Sequence, residues 1–384
     1  MHFEFATATR IIFGSGVLRR AGPLIAEMGR HVLVVTGSSP ERADPLLEQL
    51  ADSGVKIDLF SVKGEPTVEL INSGTNLARE LGCDVVVSFG GGSVLDAGKA
   101  IAVLSNSSGN LYDYLEVIGL GKKLSQASLP FVAIPTTAGT GTEVTRNAVI
   151  GSPHHGVKVS LRSALMLPRL ALVDPKLTIS LPPAVTAYTG MDAMTQLIEP
   201  YTANSTNTMV DLISLEGIRR ISRSLLRVYQ NGNDLTSRED MSLASLYGGI
   251  SLANAPLGAV HGFAAPIGGS ISAPHGAICA RLLPLVMKIN IKALESGRGD
   301  PTWLGRYEAI AQALTGKSDA KAMLGVEYVY LMREQLNISP LSNYGMTIDH
   351  IPDLVEKSSR ASSMKGNAVL LSAKEMESIL LEAL

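Results

Sequence analysis

This sequence is poor in charge and in cysteine, and each shortage excludes a class of protein. Charged residues make up 18% of the 384 residues, with 33 Lys and Arg against 35 Asp and Glu, where about 25% is usual for a globular domain. The net charge is −2 and no block of basic residues is present, so we expect no nucleic-acid partner. Cys83 and Cys279 are the only cysteines, too few for a disulfide framework, and they fit a reducing compartment.

The chain also lacks any apolar run that approaches the roughly 18 residues of a membrane span. Its first residues carry an acid at Glu4 and none of the apolar segment typical of a signal peptide. We therefore expect a cytoplasmic protein without a membrane partner. Hydrophobic residues nevertheless reach 46%, which excludes disorder and predicts a large buried core.

The first half of the chain alternates short apolar runs with segments at helical spacing. The runs at 32–35, 85–89 and 131–134 predict buried strands. Residues 43–51 and 67–81 repeat apolar side chains every three or four positions, as one face of a helix does. This alternation predicts a parallel, Rossmann-like sheet with helices on both faces.

From about residue 180 onward, β-branched runs disappear and long stretches at helical spacing replace them. We therefore predict a dinucleotide-binding α/β domain over residues 1–180 and an all-α domain for metal and substrate over residues 181–384. Clefts between domains favour small-molecule sites, so the active site is expected between the two. One helical stripe in the second half is predicted to face the core; its members are Met209, Leu212, Ile213, Leu215, Ile218, Ile221, Leu225 and Val228.

Two small-residue loops directly follow predicted strands. The first contains Gly90, Gly91, Gly92 and Ser93 and opens a helical segment, so its N–H groups and the helix dipole favour a bound phosphate. A tight strand-to-helix turn is the alternative interpretation, because neither the dinucleotide fingerprint nor the P-loop spacing is present. A second loop at 136–143 concentrates hydroxyls and glycines after a buried strand. Two such loops at the ends of neighbouring parallel strands are typical of a nucleotide site.

A buried acid and two histidines in the second half predict a metal site. Asp192 lies in an otherwise apolar helical segment, where an unpaired carboxylate is costly. His261 and His275 lie in a low-charge region, where a single histidine is more often a hydrogen-bonded core residue. One carboxylate and two imidazoles with an open position are the usual ligands of a catalytic divalent metal.

Taken together, these segments resemble the iron-containing, group III, alcohol dehydrogenase family, in the superfamily of glycerol dehydrogenase and dehydroquinate synthase. The resemblance covers nearly the whole chain; it is carried by a predicted strand pair ending at 11–14 and by residues 90–99, 136–145, 174–175 and 190–193, with both histidines. It implies an NAD(P)-dependent enzyme, a homodimer or larger assembly, with metal ligands Asp192, His261 and His275. It also implies that the nucleotide is contacted by Gly91, Gly92, Ser93, Asp96, Thr136, Thr137, Thr145 and Lys158.

Two positions depart from the family pattern. Members usually carry a histidine one helical turn after the aspartate, but this chain has Gln196, whose neutral amide is a weak ligand. Ala265 stands where many members have a second histidine. We therefore expect weaker iron or zinc binding.

The cofactor and the reaction follow from the same segments. Members that prefer NAD often have an aspartate after the first strand, but here Gly37, Ser38 and Ser39 stand there with Arg42 nearby, which favours NADP over NAD. We expect reversible hydride transfer to a small aldehyde or ketone, assisted by a divalent metal, iron or zinc. The alternative is a metal-independent carbonyl reductase similar to maleylacetate reductases, which the two departures favour. A nucleotide-binding protein without turnover is a third hypothesis.

Overall fold

The computed structural model describes residues 2–115, 117–155 and 157–384, which divide into two compact units. The α/β unit consists of Ala6–Thr137 and Gly141–Thr178. The helical unit consists of Ile179–Leu384 with the short segment Ala138–Thr140 and the N-terminal residues up to Phe5.

The α/β unit is built on a parallel sheet of six strands among the residues described, which confirms the predicted fold class. The strands are short apolar runs, and the helices that follow them present an apolar face, so both sides of the sheet are covered. The elements are β1 (Ile11–Phe13), α1 (Ala21–Ala26), β2 (His31–Thr36), α2 (Asp44–Asp52), β3 (Lys56–Ser61), α3 (Val68–Leu81), β4 (Val85–Gly90), α4 (Gly92–Ser105), β5 (Phe131–Pro135), β6 (Asn147–Ser152), β7 (Val157–Arg162) and β8 (Leu170–Val173).

The strand order in the sheet is β1-β8-β5-β4-β2-β3. The chain leaves β2 toward β3 at one edge and returns to β4 on the opposite side of β2, with Val34 paired to Val87. The carboxyl ends of β2 and β4 therefore flank the point at which the winding direction reverses. In open α/β sheets this is where ligands bind.

One local feature differs from the sequence prediction, and a second was not predicted. The expected N-terminal strand pair was wrong, because β1 is the only strand that the described residues before α1 form, and it pairs with β8. Its partner is distant in sequence, so no local pattern reveals it. In addition, β6 and β7 form an antiparallel hairpin apart from the main sheet, with Ile150 opposite Val159.

The helical unit has one apolar core, formed by residues from nine helices over the residues described. The helices α5 (Pro183–Thr202) and α9 (His275–Glu295) each have a long buried face, and together they carry three of the four side chains of the cluster described below. The helices are α5 (Pro183–Thr202), α6 (Thr208–Gln230), α7 (Leu235–Asn254), α8 (Ala259–Ser270), α9 (His275–Glu295), α10 (Thr302–Thr315), α11 (Ala322–Gln335), α12 (Ile351–Arg360) and α13 (Ala373–Ala383).

The stripe predicted on α6 was wrong at its N-terminal end. Met209 and Leu212 are 41% and 69% exposed, whereas Val210 and Ser214 are buried. Successive steps of three residues drift around a helix that has 3.6 residues per turn, so the apolar pattern leaves the core side there. From Ile218 onward the members of the predicted stripe, which are Ile218, Ile221, Leu225 and Val228, are buried.

Within the described residues, no single helix is both long and apolar enough to cross a membrane. The pair α7 and α8 reaches that length and hydropathy jointly, across a bend of 96°. Met241 and Ala244 of α7, and Val260 and Phe263 of α8, are packed in the core of the helical unit.

Candidate functional site

A pocket lies at the carboxyl ends of strands β2, β4 and β5 in the α/β unit. It has a volume of about 130 Å³ and is lined by Gly37, Ser38, Ser39, Arg42, Phe89 and Thr136. Four of these residues were predicted to bind the cofactor, and the structure brings them together from two separate loops. Arg42, a basic residue, also lines the pocket.

Backbone N–H groups at the start of α4 are available to an anion. Gly91 precedes the helix in an extended conformation, and no side chain caps the helix. The N–H groups of the first helical turn, at Gly92 and Ser93, have no intrahelical acceptor. Glycine is required further on, because a Cβ at Gly98 would lie 1.9 Å from Ser88 Oγ. This close approach fixes α4 against β4, as the third glycine of dinucleotide folds does.

Some threonines in and just after the second loop line the pocket, and others make internal contacts. Thr136 lines the pocket, and the Thr137 methyl carbon would lie 3.3 Å from a Cβ at Gly91, so Thr137 covers the first loop. Thr145 accepts a hydrogen bond from Lys99 Nζ at 2.8 Å. Its hydroxyl therefore already serves an internal contact.

Asp96 and Lys158 also make internal contacts. Asp96 Oδ2 accepts a hydrogen bond from the Val149 N–H at 3.0 Å, which ties α4 to β6. Lys158 Nζ lies 2.7 Å from Glu65 Oε2. That these two residues contact the nucleotide stays a prediction.

The buried side chain of Lys99 is hydrogen-bonded to the second loop and to the start of β6. Lys99 Nζ donates to the Thr142 and Asn147 carbonyl oxygens, at 2.8 Å each. Burial lowers the pKa of Lys99 to about 8, although Asp96 and Glu143 raise it. Burial likewise raises the pKa of Asp96 to about 6 and that of Glu143 to about 7.

In the helical unit, four side chains with metal-binding atoms converge. Asp192 of α5, His261 of α8, and His275 and Cys279 of α9 each place one such atom within 4.8 Å of the others. Asp192 Oδ1 lies 3.6 Å from His261 Nε2 and 3.8 Å from His275 Nε2. The three predicted ligands are thus brought together, and we call these four residues the Asp192 cluster.

The Asp192 cluster fits a cation. Asp192 is 3% exposed, and its Oδ1 makes no hydrogen bond, although a buried carboxylate oxygen without one is costly. Burial raises its pKa, but the two histidines outweigh burial and hold the pKa below its ordinary value. The His275 side chain is 46% exposed, so the cluster is open to solvent on that side.

Glu199 lies beside the Asp192 cluster, and the sequence analysis did not single it out. Its Oε2 lies 2.6 Å from His261 Nδ1, and its Oε1 accepts a hydrogen bond from the Val260 N–H at 2.6 Å. A carboxylate on Nδ1 leaves Nε2 facing the cluster and orients the ring, as in metal sites generally. Burial lowers the pKa of His261, but Glu199 and Asp192 outweigh it and raise this pKa to about 10. The spacing offered a signal, because residues 192 and 199 lie two turns apart on one helix face.

Cys279 is the second residue that sequence reasoning missed. It is fully buried, and its Sγ lies 3.6 Å from His275 Nε2, one helical turn earlier. Burial raises the pKa of the thiol, and the Asp192 and Glu199 carboxylates raise it further. The spacing of four residues from a predicted ligand was the available signal.

Gln196, predicted as a weak ligand, donates a hydrogen bond instead. Its Nε2 donates to Asp192 Oδ2 at 3.0 Å, and its Oε1 is buried without a partner. Gln196 as a metal ligand stays a prediction. Ala265, the other departure, is exposed on α8.

The start of α9 is seated closely on α5. A Cβ at Gly276 would lie 2.3 Å from the Tyr188 carbonyl oxygen, so only glycine fits there. This contact places His275 beside Asp192.

Comparison with known proteins identifies the family. A family described as iron-containing alcohol dehydrogenase matches residues 8–175, and its C-terminal family matches residues 186–384. The choline dehydrogenase of Bacillus subtilis (strain 168) is 33% identical over 363 residues, covering 93% of this chain and 88% of that protein.

Solved structures agree. A 1,3-propanediol oxidoreductase superimposes with a TM-score of 0.93 at 29% identity, covering 100% of both chains. The sulfoacetaldehyde reductase of Bifidobacterium kashiwanohense, solved with NAD⁺, gives a TM-score of 0.87 at 26% identity, covering 99% of this chain and 98% of that one. The chain therefore belongs to the iron-containing alcohol dehydrogenase family, whose members are oxidoreductases that act on CH–OH groups.

Proposed function

We propose that this chain is an NAD(P)-dependent alcohol dehydrogenase that reduces a small aldehyde or ketone, and runs in reverse, with a divalent metal at the Asp192 cluster. The observation that carries the proposal is the buried Asp192 Oδ1, which makes no hydrogen bond and faces two imidazoles. Such an oxygen is stabilised by a cation.

In the α/β unit, the chain's own groups bind and orient the nucleotide. The N–H groups at Gly92 and Ser93 meet the pyrophosphate, with the positive end of the α4 dipole behind them. Arg42 lines the pocket together with Ser38 and Ser39, and no acid is among the described residues that line it. These contacts support NADP over NAD.

In the helical unit, Asp192, His261 and His275 would hold the metal. A divalent cation held there would supply polarisation of the carbonyl oxygen and a lowered pKa of the alcohol, and a nicotinamide cofactor would supply or accept the hydride. Glu199 fixes the ring of His261, so that its Nε2 stays aimed at the cluster. His275, on the exposed side, leaves access for a small substrate.

The identity of the metal, iron or zinc, belongs to the proposal. The homodimer or larger assembly and the cytoplasmic location are also part of the proposal. The location is supported by two buried cysteines that form no disulfide. Choline dehydrogenase and sulfoacetaldehyde reductase are named for small polar substrates, which supports the same substrate size here.

One observation favours a second candidate, a metal-independent carbonyl reductase of the same superfamily. The Gln196 amide donates to Asp192 Oδ2, so one carboxylate oxygen is satisfied without a cation. Against it, Asp192 Oδ1 keeps no hydrogen bond, and Glu199 orients an imidazole toward it.

The test is NADPH and NADH oxidation with a panel of small aldehydes and ketones. We expect the wild-type chain to turn over and His275→Ala to lower kcat/KM by about 10³-fold or more, because a ligand on the exposed side is lost. Cofactor affinity should stay unchanged in this variant. Undiminished turnover of His275→Ala would contradict the proposal.

Cofactor choice is tested by kcat/KM with each nucleotide. Wild type should prefer NADPH, and Arg42→Ala should lower this preference by about tenfold, since a guanidinium–phosphate contact is lost. Arg20→Ala, an exposed arginine outside the pocket, is the matched control. A clear wild-type preference for NADH would rule out this part of the proposal.

A further inference from the structure

We propose that Cys279 is a metal ligand of this chain, and that Gln196 positions Asp192 instead of binding the ion. The metal site then consists of Asp192, His261, His275 and Cys279, a ligand set that favours zinc over harder cations such as Mn²⁺. This inference rests on the proposed function to the extent that both require a metal at the Asp192 cluster.

The geometry of α9 places the sulfur at a ligand position. Cys279 Sγ lies 3.6 Å from His275 Nε2 and within 4.8 Å of the ligand atoms of Asp192 and His261. Tetrahedral zinc binds nitrogen at about 2.05 Å and sulfur at about 2.3 Å, which separates these two atoms by about 3.6 Å. The side chains of His275 and Cys279 therefore already have the spacing of two ligands of one ion.

The amide of Gln196 is hydrogen-bonded to the Asp192 carboxylate. Its Nε2 donates to Asp192 Oδ2, which leaves Asp192 Oδ1 as the oxygen that faces both imidazoles. The N–H group that points at the carboxylate holds it in place, and the amide oxygen, Oε1, lies toward α7, 3.4 Å from where a Cβ at Gly248 would be. Gln196 is therefore a positioning residue.

Charge favours the same ligand set. Asp192 and Cys279 are both buried, and two anionic ligands neutralise a divalent ion at a site that is largely shielded from water. As the ion binds, the S–H bond of Cys279 breaks, the sulfur donates an electron pair to the metal, and the proton leaves to solvent. Thiolate is a soft ligand, which favours Zn²⁺ over harder cations such as Mn²⁺.

Cobalt(II) titration of the metal-depleted, full-length protein tests the inference, because thiolate–cobalt bonds give a charge-transfer absorption in the near ultraviolet. We expect the wild-type chain to bind one Co²⁺ with this absorption, and Cys279→Ser to lose it while the visible Co²⁺ bands persist. Cys83→Ser is the matched control, because it removes the only other sulfur of a cysteine and should keep the absorption.

Zinc affinity provides a second measurement. Cys279→Ser and Cys279→Ala should each weaken Zn²⁺ binding by about 100-fold or more, since even partners that do not touch the metal are worth about 10- to 100-fold. Binding of Mn²⁺ should change by less than about threefold. Gln196→Ala should weaken both ions to a similar, smaller degree and keep the charge-transfer absorption.

The outcomes separate this inference from the proposed function. Visible Co²⁺ bands without a charge-transfer absorption in the wild-type chain overturn the role of Cys279 and leave the metal-assisted reaction standing. Loss of the absorption in Cys83→Ser, and not in Cys279→Ser, overturns the inference in favour of the group His31, Asp58 and Cys83. No Co²⁺ binding at all overturns both.

Discussion

The candidate nucleotide pocket of the α/β unit is made largely of loop backbone and small side chains at strand ends. The Asp192 cluster of the helical unit is made of four side chains from three helices. A backbone site depends on where the strands and glycines lie, and it tolerates many side chains. A side-chain site depends on each ligand and on the partner that orients it. Substitutions should therefore act differently in the two units.

Among the substitutions that compare the two units, Asp192→Asn is expected to have the largest effect. Because the neutral amide no longer compensates a cation, kcat/KM should fall by about 10³-fold, equivalent to about 4 kcal/mol of transition-state stabilisation. The NADPH dissociation constant, measured by cofactor fluorescence, should stay within about twofold. A parallel loss of nucleotide affinity would contradict the independence of the two sites.

The next effect concerns backbone packing in the α/β unit. Gly98→Ala places a Cβ 1.9 Å from Ser88 Oγ, so α4 must move from β4, and the free energy of unfolding should fall by about 2–3 kcal/mol. Gly305→Ala, in the exposed part of α10, meets no atom within 4 Å and should be neutral or stabilising by up to about 1 kcal/mol. Urea denaturation measures both. Equal effects of the two substitutions would refute the close-packing argument.

Glu199→Gln tests the orientation of His261. The substitution keeps the size of the side chain and removes the charge beside Nδ1, so metal affinity should fall about 10- to 100-fold. Titration of Zn²⁺ against a chelating dye gives this value. Glu377→Gln, at an exposed position on α13, is the control and should leave the affinity unchanged.

A smaller effect is expected in the pH dependence of stability. The pKa of Glu143 is raised to about 7 in the folded protein, so stability falls as pH rises from the unfolded pKa through about 7. Glu143→Gln cannot ionise and should lack this decline. The variant should therefore gain stability relative to wild type as the pH rises from 5 to 8. Unfolding curves of both proteins at pH 5 and pH 8 measure this difference. The same change of stability with pH in wild type and variant would contradict its assignment to Glu143.

The same contrast explains what the sequence could predict. The apolar runs and the glycines of the α/β unit follow from local pattern, because strands and turns depend on neighbouring residues. The pairing of β1 with β8 depends on distant residues and left no local pattern. The family resemblance predicted three ligands, which the structure brings together, but the contacts of Glu199 and Cys279 with them depend on how α5, α8 and α9 pack. Their spacing of seven and four residues from Asp192 and His275 showed a shared helix face and not the contact itself.

The central claim, that the Asp192 cluster is the metal centre of a carbonyl reductase, is tested most directly by metal content and turnover of one preparation. Protein purified without chelator should contain about one zinc per chain and reduce aldehydes with NADPH. EDTA should remove the zinc together with the activity, and added Zn²⁺ should restore both. Full activity in metal-free protein would contradict the account and favour the metal-independent reductase.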